Sequence, residues 1–92
     1  MEIELSLVIP AYNEASRLPP YLESVRHYLD AQHPGAYEVI VVDDGSRDGL
    51  ADVLARLAPD WPELAVMQHG TNQGKGAAVR TGMLAGRGGR LL

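Results

Sequence analysis

Two apolar runs in the first half of the chain each end directly in polar residues. The first covers residues 3–10 and leads into Tyr12 and Glu14, and the second covers residues 37–42 and leads into two aspartates. Their nearly continuous hydrophobicity and β-branched content predict parallel strands that are covered on both faces. Open α/β sheets bind their ligands beyond the carboxyl ends of such strands, so the pattern predicts a binding site at this edge.

Between the two strands, apolar residues recur at the spacing of one helix face. They predict a first helix around residues 18–29, and they are Leu18, Leu22, Val25 and Leu29. Tyr21 and Tyr28 are expected to extend its apolar stripe. Ser16 precedes the helix and is expected to cap its first turn.

The second half of the chain continues the alternation of strand and helix. A second helix is predicted over residues 50–58 with Asp48 as its N-cap, followed by a strand over residues 64–68. A third helix is predicted over residues 74–85, and residues 90–92 read as the start of a fourth strand. This β-α-β-α-β-α order predicts an α/β fold with a parallel sheet and right-handed crossovers.

Composition limits the function without naming it. The 92 residues allow one small domain. The absence of cysteine excludes disulfides, zinc clusters with thiolate ligands and cysteine nucleophiles, and it fits a reducing compartment such as the cytoplasm. The net charge of −4 argues against a nucleic-acid partner. No apolar stretch is long enough to span a bilayer, so a soluble segment is expected.

The polar residues after the first two strands are candidates for nucleoside binding. Asp43 and Asp44 follow the second strand, and a carboxylate there can accept hydrogen bonds from a base N–H or a ribose hydroxyl. The alternative is that both aspartates only stabilise the turn that follows. Pro10, Tyr12 and Glu14 lie at the end of the neighbouring strand, and together with the aspartates they outline a pocket.

A third segment, residues 70–82, places glycines and Lys75 at the start of a predicted helix, where N–H groups and a lysine suit a phosphate. It is not a P-loop, because only three residues separate Gly70 from Gly74 and Gly76 follows the lysine. The dinucleotide fingerprint is also unsuitable, since that motif follows the first strand and this segment follows the third.

Together the three segments resemble the family 2 glycosyltransferases of the GT-A fold. The matching stretches are residues 10–14 (PAYNE), 43–49 (DDGSRDG) and 72–82 (NQGKGAAVRTG), in the family's order and spacing. The third stretch most resembles the dolichyl-phosphate β-glucosyltransferases, which move glucose from UDP-glucose to a polyprenyl phosphate. Dolichyl-phosphate mannosyltransferases, which use GDP-mannose, are near neighbours.

The resemblance implies a site for a nucleotide-diphosphate sugar. The residues expected to line it are Pro10, Tyr12, Glu14, Val42, Asp43, Asp44 and Lys75. Asp44 is expected to contact the base or ribose, Asp43 to support it, and Lys75 to lie near the diphosphate. The family's Asp-x-Asp motif is absent, so the ligands of Mg²⁺ or Mn²⁺ are expected beyond Leu92. No catalytic residue is assigned, and the three histidines, His27, His33 and His69, share no metal-ligand spacing.

The implied reaction is a single displacement at the anomeric carbon, with inversion, by a phosphate oxygen of a polyprenyl carrier. Residues 1–92 are expected to be the incomplete N-terminal, nucleotide-binding part of one GT-A domain, truncated at the fourth strand and inactive alone. The intact parent is expected at the cytoplasmic face of a membrane, where its lipid acceptor lies.

Three other classes remain open at this stage. A sugar-nucleotide pyrophosphorylase would carry a glycine-rich loop directly after its first strand, where this chain has residues 12–14 (YNE). A non-catalytic nucleotide-binding module would bind nucleotides without transferring sugar. A structural or interaction domain would bind no nucleotide at all.

Overall fold

Residues 3–92 are described by a computed structural model, in which strands and helices alternate along the chain. The elements are β1 (Leu5–Ala11), α1 (Leu18–Gln32), β2 (Tyr37–Asp44), α2 (Leu50–Leu57), β3 (Leu64–His69), α3 (Lys75–Ala85) and β4 (Arg90–Leu91), with a 3-10 turn at Ala58–Asp60. All the strand pairs are parallel, and the sheet order is β3-β2-β1-β4. The predicted α/β class and β-α-β-α-β-α order are confirmed.

The sheet order reverses after β3, because the chain returns across the sheet to place β4 on the far side of β1. Side chains of α1 and α2 pack on one face of the sheet, in a cluster with Ile9, Val39 and Val41. The opposite face packs on α3, where Ala78 contacts the cluster that contains Ile40. The helices therefore cover both faces, as right-handed crossovers in opposite directions require.

Strand β2 is buried at all eight of its positions. Successive side chains of a strand point to opposite faces, so Val39 and Val41 face α1 and α2 while Ile40 and Val42 face α3. Continuing this alternation, the last two residues of the strand diverge. Asp43 belongs to the first face and Asp44 to the second.

The first two strands end at residues other than those predicted. Strand β2 extends two residues beyond the predicted end at residue 42, because β3 pairs with it as far as the Asp43–Gln68 and Asp44–His69 partners. Strand β1 begins at Leu5 rather than at residue 3 and ends at Ala11. The two aspartates are thus part of the sheet and not of the turn that follows it.

Three expectations about the helices were wrong in detail. Ser16 does not cap α1, because the Glu14 carbonyl accepts the Leu18 N–H and a backbone turn takes the place of a side-chain cap. Tyr21 and Tyr28 do not extend the buried stripe of α1, since they are 53% and 61% exposed. A tyrosine tolerates such a position because its hydroxyl reaches water.

The α2 cap also differs from the expectation. Gly49, in a left-handed conformation, occupies the N-cap position instead of Asp48. Asp48 lies one residue before the N-cap. Its carboxylate still accepts the Leu50 N–H, at 3.2 Å, and so satisfies one N–H of the first turn.

A buried polar cluster lies at the opposite, amino-terminal end of the strands. The Glu38 carboxylate accepts hydrogen bonds from the Ser6 hydroxyl at 2.6 Å and the Arg87 N–H at 2.7 Å, and Ser6 in turn accepts the Gly88 N–H at 2.8 Å. Burial acts to raise the pKa of Glu38, but the hydrogen bonds from Ser6 and Arg87 outweigh it and lower the pKa. This cluster fixes the connection between α3 and β4.

Helix α3 lies very close to the sheet at Gly82. A Cβ at this position would lie 2.2 Å from Cγ1 of Val8 and 3.3 Å from Cγ2 of Val42. Only a residue without a side chain therefore fits at this crossing. The close approach sets the height of α3 above the sheet, and with it the position of the loop that precedes the helix.

We predict that Gly82→Ala lowers the free energy of unfolding by about 1–3 kcal/mol, because the added methyl group overpacks the interface with Val8. Gly76→Ala is the matched control on the same helix, since a Cβ there meets nothing within 4 Å. It is expected to leave stability unchanged or to raise it by up to about 1 kcal/mol. Urea unfolding measures both, and equal effects of the two substitutions would contradict the close approach.

Candidate functional site

A cleft of about 390 Å³ opens at the carboxyl ends of β1 and β2, beside the start of α3. The residues that line it come from three consecutive segments of polar sequence and the strands before them. They are Pro10, Ala11, Tyr12, Glu14, Asp44, Asn72, Lys75 and Ala78. Five of the seven residues predicted for the nucleotide site are brought together here.

The other two predicted residues, Val42 and Asp43, do not line the cleft. Val42 is completely buried beneath α3, in the cluster with Ile40 and Ala78. The carboxylate of Asp43 accepts the Ser46 N–H at 3.0 Å, so it stabilises the turn after β2. The alternation of β2 explains both positions, since Val42 faces the helix and Asp43 faces away from the cleft.

The Asp44 carboxylate organises the loop between β3 and α3. Its Oδ1 accepts the Gln73 N–H and its Oδ2 accepts the Gly74 N–H, each at 2.9 Å. Its backbone carbonyl accepts the Asn72 side-chain amide at 3.3 Å. One residue at the end of β2 therefore holds three consecutive residues of the loop that forms one wall of the cleft.

A histidine that the sequence left without a role completes the set of donors to Asp44. His69 Nδ1 lies 2.7 Å from Asp44 Oδ1. Hydrogen bonds from His69, and then from the Gln73 and Gly74 N–H groups, lower the pKa of Asp44 below its ordinary value of 3.8. The carboxylate is thus held ionised, which suits its role as an acceptor of several hydrogen bonds.

The loops after β1 and β2 are joined by side chains from both. The Ser46 hydroxyl accepts the Asn13 N–H at 2.9 Å, and the Asn13 side-chain oxygen accepts the Arg47 N–H at 2.9 Å. The Asp48 carboxylate accepts the Ala15 N–H at 3.0 Å. Asn13 has a φ of 53°, in the left-handed region that asparagine tolerates better than most residues. These contacts fix the loop that carries Tyr12 and Glu14.

Gly45 brings the turn after β2 against the loop before α3. Its φ is +75°, and a Cβ at this position would lie 2.5 Å from the Asn72 nitrogen and 2.6 Å from the Thr71 carbonyl carbon. The glycine is needed for its conformation and also for this contact between two backbones. The loop before α3 is therefore held by Asp44 on one side and by the shape of the turn on the other.

The cleft combines an aromatic ring, an amide and a cation. Tyr12 is 45% exposed, and the exposed side chains of Asn72 and Lys75 flank the start of α3. Glu14 is paired with Arg17 through an Oε1 to Nη2 contact of 2.6 Å. Since the acids are engaged by protein donors, the lysine ammonium favours an anionic ligand near the helix start.

The cleft does not fit a divalent metal ion held by this chain alone. Within residues 3–92, no cluster of three or more acidic, histidine or cysteine side chains is arranged to hold a metal. Of the two acidic side chains that line the cleft, Asp44 accepts N–H groups at both oxygens and Glu14 is paired with Arg17.

A larger cleft of about 520 Å³ lies between α1 and the 3-10 turn and shares no lining residue with the cleft at the strand ends. Its one cation, Arg26, stacks over Trp61 at 5.4 Å and donates to the Asp60 carbonyl at 2.8 Å. Its polar groups therefore serve the packing of α1 against the turn, and we assign the candidate site to the smaller cleft.

Sequence reasoning did not single out Ala11, Asn72 and Ala78 as lining residues. Asn72 had a signal, since it belongs to the glycine-rich stretch before α3, but nothing local shows that its side chain meets the end of β2. Ala11 and Ala78 line the cleft because small side chains leave room there, which becomes visible only once α3 is packed on the sheet.

We predict that Gly45→Ala disturbs the site more than Gly49→Ala does. Both glycines have positive φ, so each substitution costs about 1–2 kcal/mol of backbone strain. A Cβ at Gly49 meets nothing within 4 Å, whereas at Gly45 it meets the backbone of the loop before α3. Urea unfolding and the amide NMR shifts of residues 71–74 compare the two. Equal shifts in both variants would contradict the proposed contact.

We predict a stability change in acid that depends on Asp44. Because its pKa is lowered in the folded chain, its contribution is complete above pH 3.8 and is lost as pH falls through the lowered pKa. Asp44→Asn is expected to remove this part of the acid dependence, and Asp60→Asn, at an exposed position, to leave it in place. Urea midpoints measured between pH 6 and pH 2 test this, and an unchanged profile in Asp44→Asn would refute it.

Comparison with known proteins places the chain in one family. Residues 6–91 match the family model described as Glycosyl transferase family 2. The chain is 42% identical over 96 residues to the dolichyl-phosphate beta-glucosyltransferase of Drosophila melanogaster and 37% identical over 95 residues to that of Homo sapiens. The matches cover 98% and 97% of this chain, and the chain spans 29% of each relative's length.

Two solved structures share the fold. The mannosyltransferase PcManGT from Pyrobaculum calidifontis, in complex with GDP-Man and Mn²⁺, superposes with a TM-score of 0.80 at 26% identity, covering 94% of this chain and 25% of that one. TarS 1-349 of S. aureus superposes with a TM-score of 0.79 at 26% identity, covering 98% of this chain and 26% of that one. The predicted similarity to dolichyl-phosphate β-glucosyltransferases is confirmed, and the chain belongs to glycosyl transferase family 2.

Proposed function

We propose that the cleft binds the nucleotide of a nucleotide-diphosphate sugar, and that the parent protein transfers the sugar, with inversion, to a polyprenyl phosphate. The most specific form of the proposal is glucose transfer from UDP-glucose to dolichyl phosphate. It is supported by relatives at 34–42% identity that are named dolichyl-phosphate beta-glucosyltransferases. The observation that supports it most directly is the cleft itself. It brings Tyr12, Asp44 and Lys75 together at the carboxyl edge of the sheet.

Asp44 retains one acceptor position for the ligand. An ionised carboxylate has about four lone-pair positions. Oδ1 accepts from His69 and Gln73, whereas Oδ2 accepts only from Gly74 among the described residues. We therefore assign to Oδ2 a hydrogen bond from the base or from a ribose hydroxyl. The carboxylate serves the loop and the ligand at the same time.

Tyr12 and Lys75 would recognise the two ends of the nucleotide. The half-exposed ring of Tyr12 suits stacking with a base, which does not depend on the identity of the base. Lys75 begins α3, so its ammonium and the helix N-terminus together suit the diphosphate. Glu14 would shape the cleft edge through its pair with Arg17. Val42 would support the site by packing beneath α3, and Asp43 by stabilising the turn after β2.

The proposed reaction asks little of a general base. A phosphate oxygen of the acceptor is anionic at neutral pH, so positioning and stabilisation of the leaving diphosphate carry most of the catalysis. We place the Mg²⁺ or Mn²⁺ site of the parent protein outside residues 3–92, whose cleft does not fit a metal. The complex of PcManGT with GDP-Man and Mn²⁺ supports a divalent ion in the parent protein.

The location of the parent protein follows from its proposed acceptor. No helix among the described residues has the length and hydrophobicity needed to cross a membrane. We propose that the parent acts at the cytoplasmic face of a membrane because a polyprenyl phosphate is held there by its lipid tail, while the nucleotide sugar is dissolved in the cytoplasm.

A GDP-linked donor is the second candidate, favoured by the GDP-Man held by PcManGT. The two donors can be separated by binding alone. NMR titration of the 92-residue chain with UDP and with GDP compares them directly, and uridine and guanosine show how much of each affinity the diphosphate supplies. Failure of the folded chain to bind any of these ligands would overturn the proposed function.

We predict that Tyr12→Ala weakens UDP binding about tenfold through lost stacking, whereas Tyr28→Ala, at an exposed tyrosine on α1, leaves it unchanged.

Lys75→Ala is expected to weaken UDP binding by a similar factor and uridine binding much less, because it removes the charge beside the diphosphate. Arg80→Ala, an exposed cation further along α3, is the control. Equal losses for Lys75→Ala and Arg80→Ala would show only a general charge effect.

A further inference from the structure

The His69 ring forms a bridge between Asp44 and α3. Its Nδ1 lies 2.7 Å from Asp44 Oδ1, and its Nε2 lies 2.9 Å from the Thr81 hydroxyl oxygen. The side chains of His69 and Asp44 are only 9% and 4% exposed. Neither His69 nor Thr81 lines the cleft. The bridge thus lies behind the wall of the site.

The chemistry of the partners determines the direction of these hydrogen bonds. An ionised carboxylate can only accept, so Nδ1 carries a proton and donates to Asp44. In the neutral ring Nε2 is then an acceptor, and the Thr81 hydroxyl donates to it. A hydroxyl can donate or accept, so the threonine accommodates the tautomer that Asp44 requires.

The bridge spans the loop that Asp44 holds. His69 is the last residue of β3 and Thr81 lies within α3, so the two elements that flank the five-residue connection 70–74 are joined through the ring. Without His69, the carboxylate would be oriented mainly by Gln73 and Gly74, which belong to the same loop that it has to fix. The torsion that rotates a carboxylate has broad minima, so it needs a partner on a rigid element.

We propose that His69 and Thr81 are positioning residues for the nucleotide cleft: they set the orientation of the Asp44 carboxylate and, through it, the loop that leads to Lys75. The expected effect of these two residues on nucleotide affinity rests on the proposed function. Their expected effect on the loop before α3 does not depend on any ligand. His69 does not line the cleft, so its effect on a ligand passes through Asp44 and the loop.

Two substitutions of His69 separate positioning from packing. His69→Asn places an amide near the position of Nδ1 and retains a donor for Asp44, whereas His69→Gln places its amide near Nε2 and loses that donor. Both are polar and smaller than histidine. A packing role alone predicts similar losses for both, and a positioning role predicts that only His69→Gln releases the carboxylate.

The first measurement is amide hydrogen exchange in the protein without ligand. His69→Gln is expected to speed exchange at Gln73 and Gly74 about tenfold, the equivalent of one lost hydrogen bond, with little change at the centre of β2. His69→Asn is expected to keep most of the protection at both amides. Nitrogen NMR of the His69 ring should show the Nδ1–H tautomer in the unsubstituted chain.

The second measurement is UDP affinity. His69→Gln is expected to weaken it about fivefold to tenfold and Thr81→Val about threefold, with recovery in Thr81→Ser, which restores the hydroxyl. Ser24→Ala removes a comparable hydroxyl bond on α1, from Ser24 to the Pro20 carbonyl, and is the control. Urea unfolding of each variant separates a change in affinity from a loss of fold.

The outcomes distinguish the two proposals. If the unsubstituted 92-residue chain binds no nucleotide, the proposed function fails. The exchange rates at Gln73 and Gly74 still decide the positioning role. Equal exchange rates at Gln73 and Gly74 in His69→Asn and His69→Gln would overturn the inference, as would an Nε2–H tautomer of His69 in the unsubstituted chain. Faster exchange in His69→Gln with unchanged UDP affinity would also overturn it, because Asp44 would then not transmit the effect to the cleft.

Discussion

The complete burial of β2 is the constraint on which the rest of the structure depends. Every residue of this strand is buried and helices cover both faces of its centre, so alternation decides which layer each residue serves. Two adjacent aspartates at its end consequently have different partners. Asp43 closes the turn toward α2, and Asp44 reaches the loop before α3. A shift of one residue in the register would exchange them and dismantle the cleft.

The walls of the cleft are held in place mainly by hydrogen bonds between loops. The sheet supplies the strand ends from which these loops start. Ser46 and Asp48 tie the loop after β1 to the loop after β2, and Asp44 ties the loop after β3 to the same strand end. Nearly all of these acceptors are side chains, whereas the donors are backbone N–H groups. The sequence of the loops is therefore constrained by their geometry as well as by any ligand that they bind.

The sequence predicted the order of the elements and five of the residues that line the cleft, because apolar runs and the polar residues after them are local signals. The rest depends on partners distant in the chain. The extension of β2 through Asp44 requires the pairing with β3, and the burial of Val42 requires the height of α3 above the sheet. His69 could not be given a role from sequence, since its partners lie 25 and 12 residues away.

The Glu38 cluster links the placement of β4 to the pairing of the first two strands. Arg87 and Gly88 dock on acceptors from two different strands, Glu38 of β2 and Ser6 of β1, which face each other in the ladder. Their docking site does not exist until those strands have paired. We therefore expect the first βαβ unit to close before the segment leading to β4 settles, so that the fourth strand takes its register from the first two.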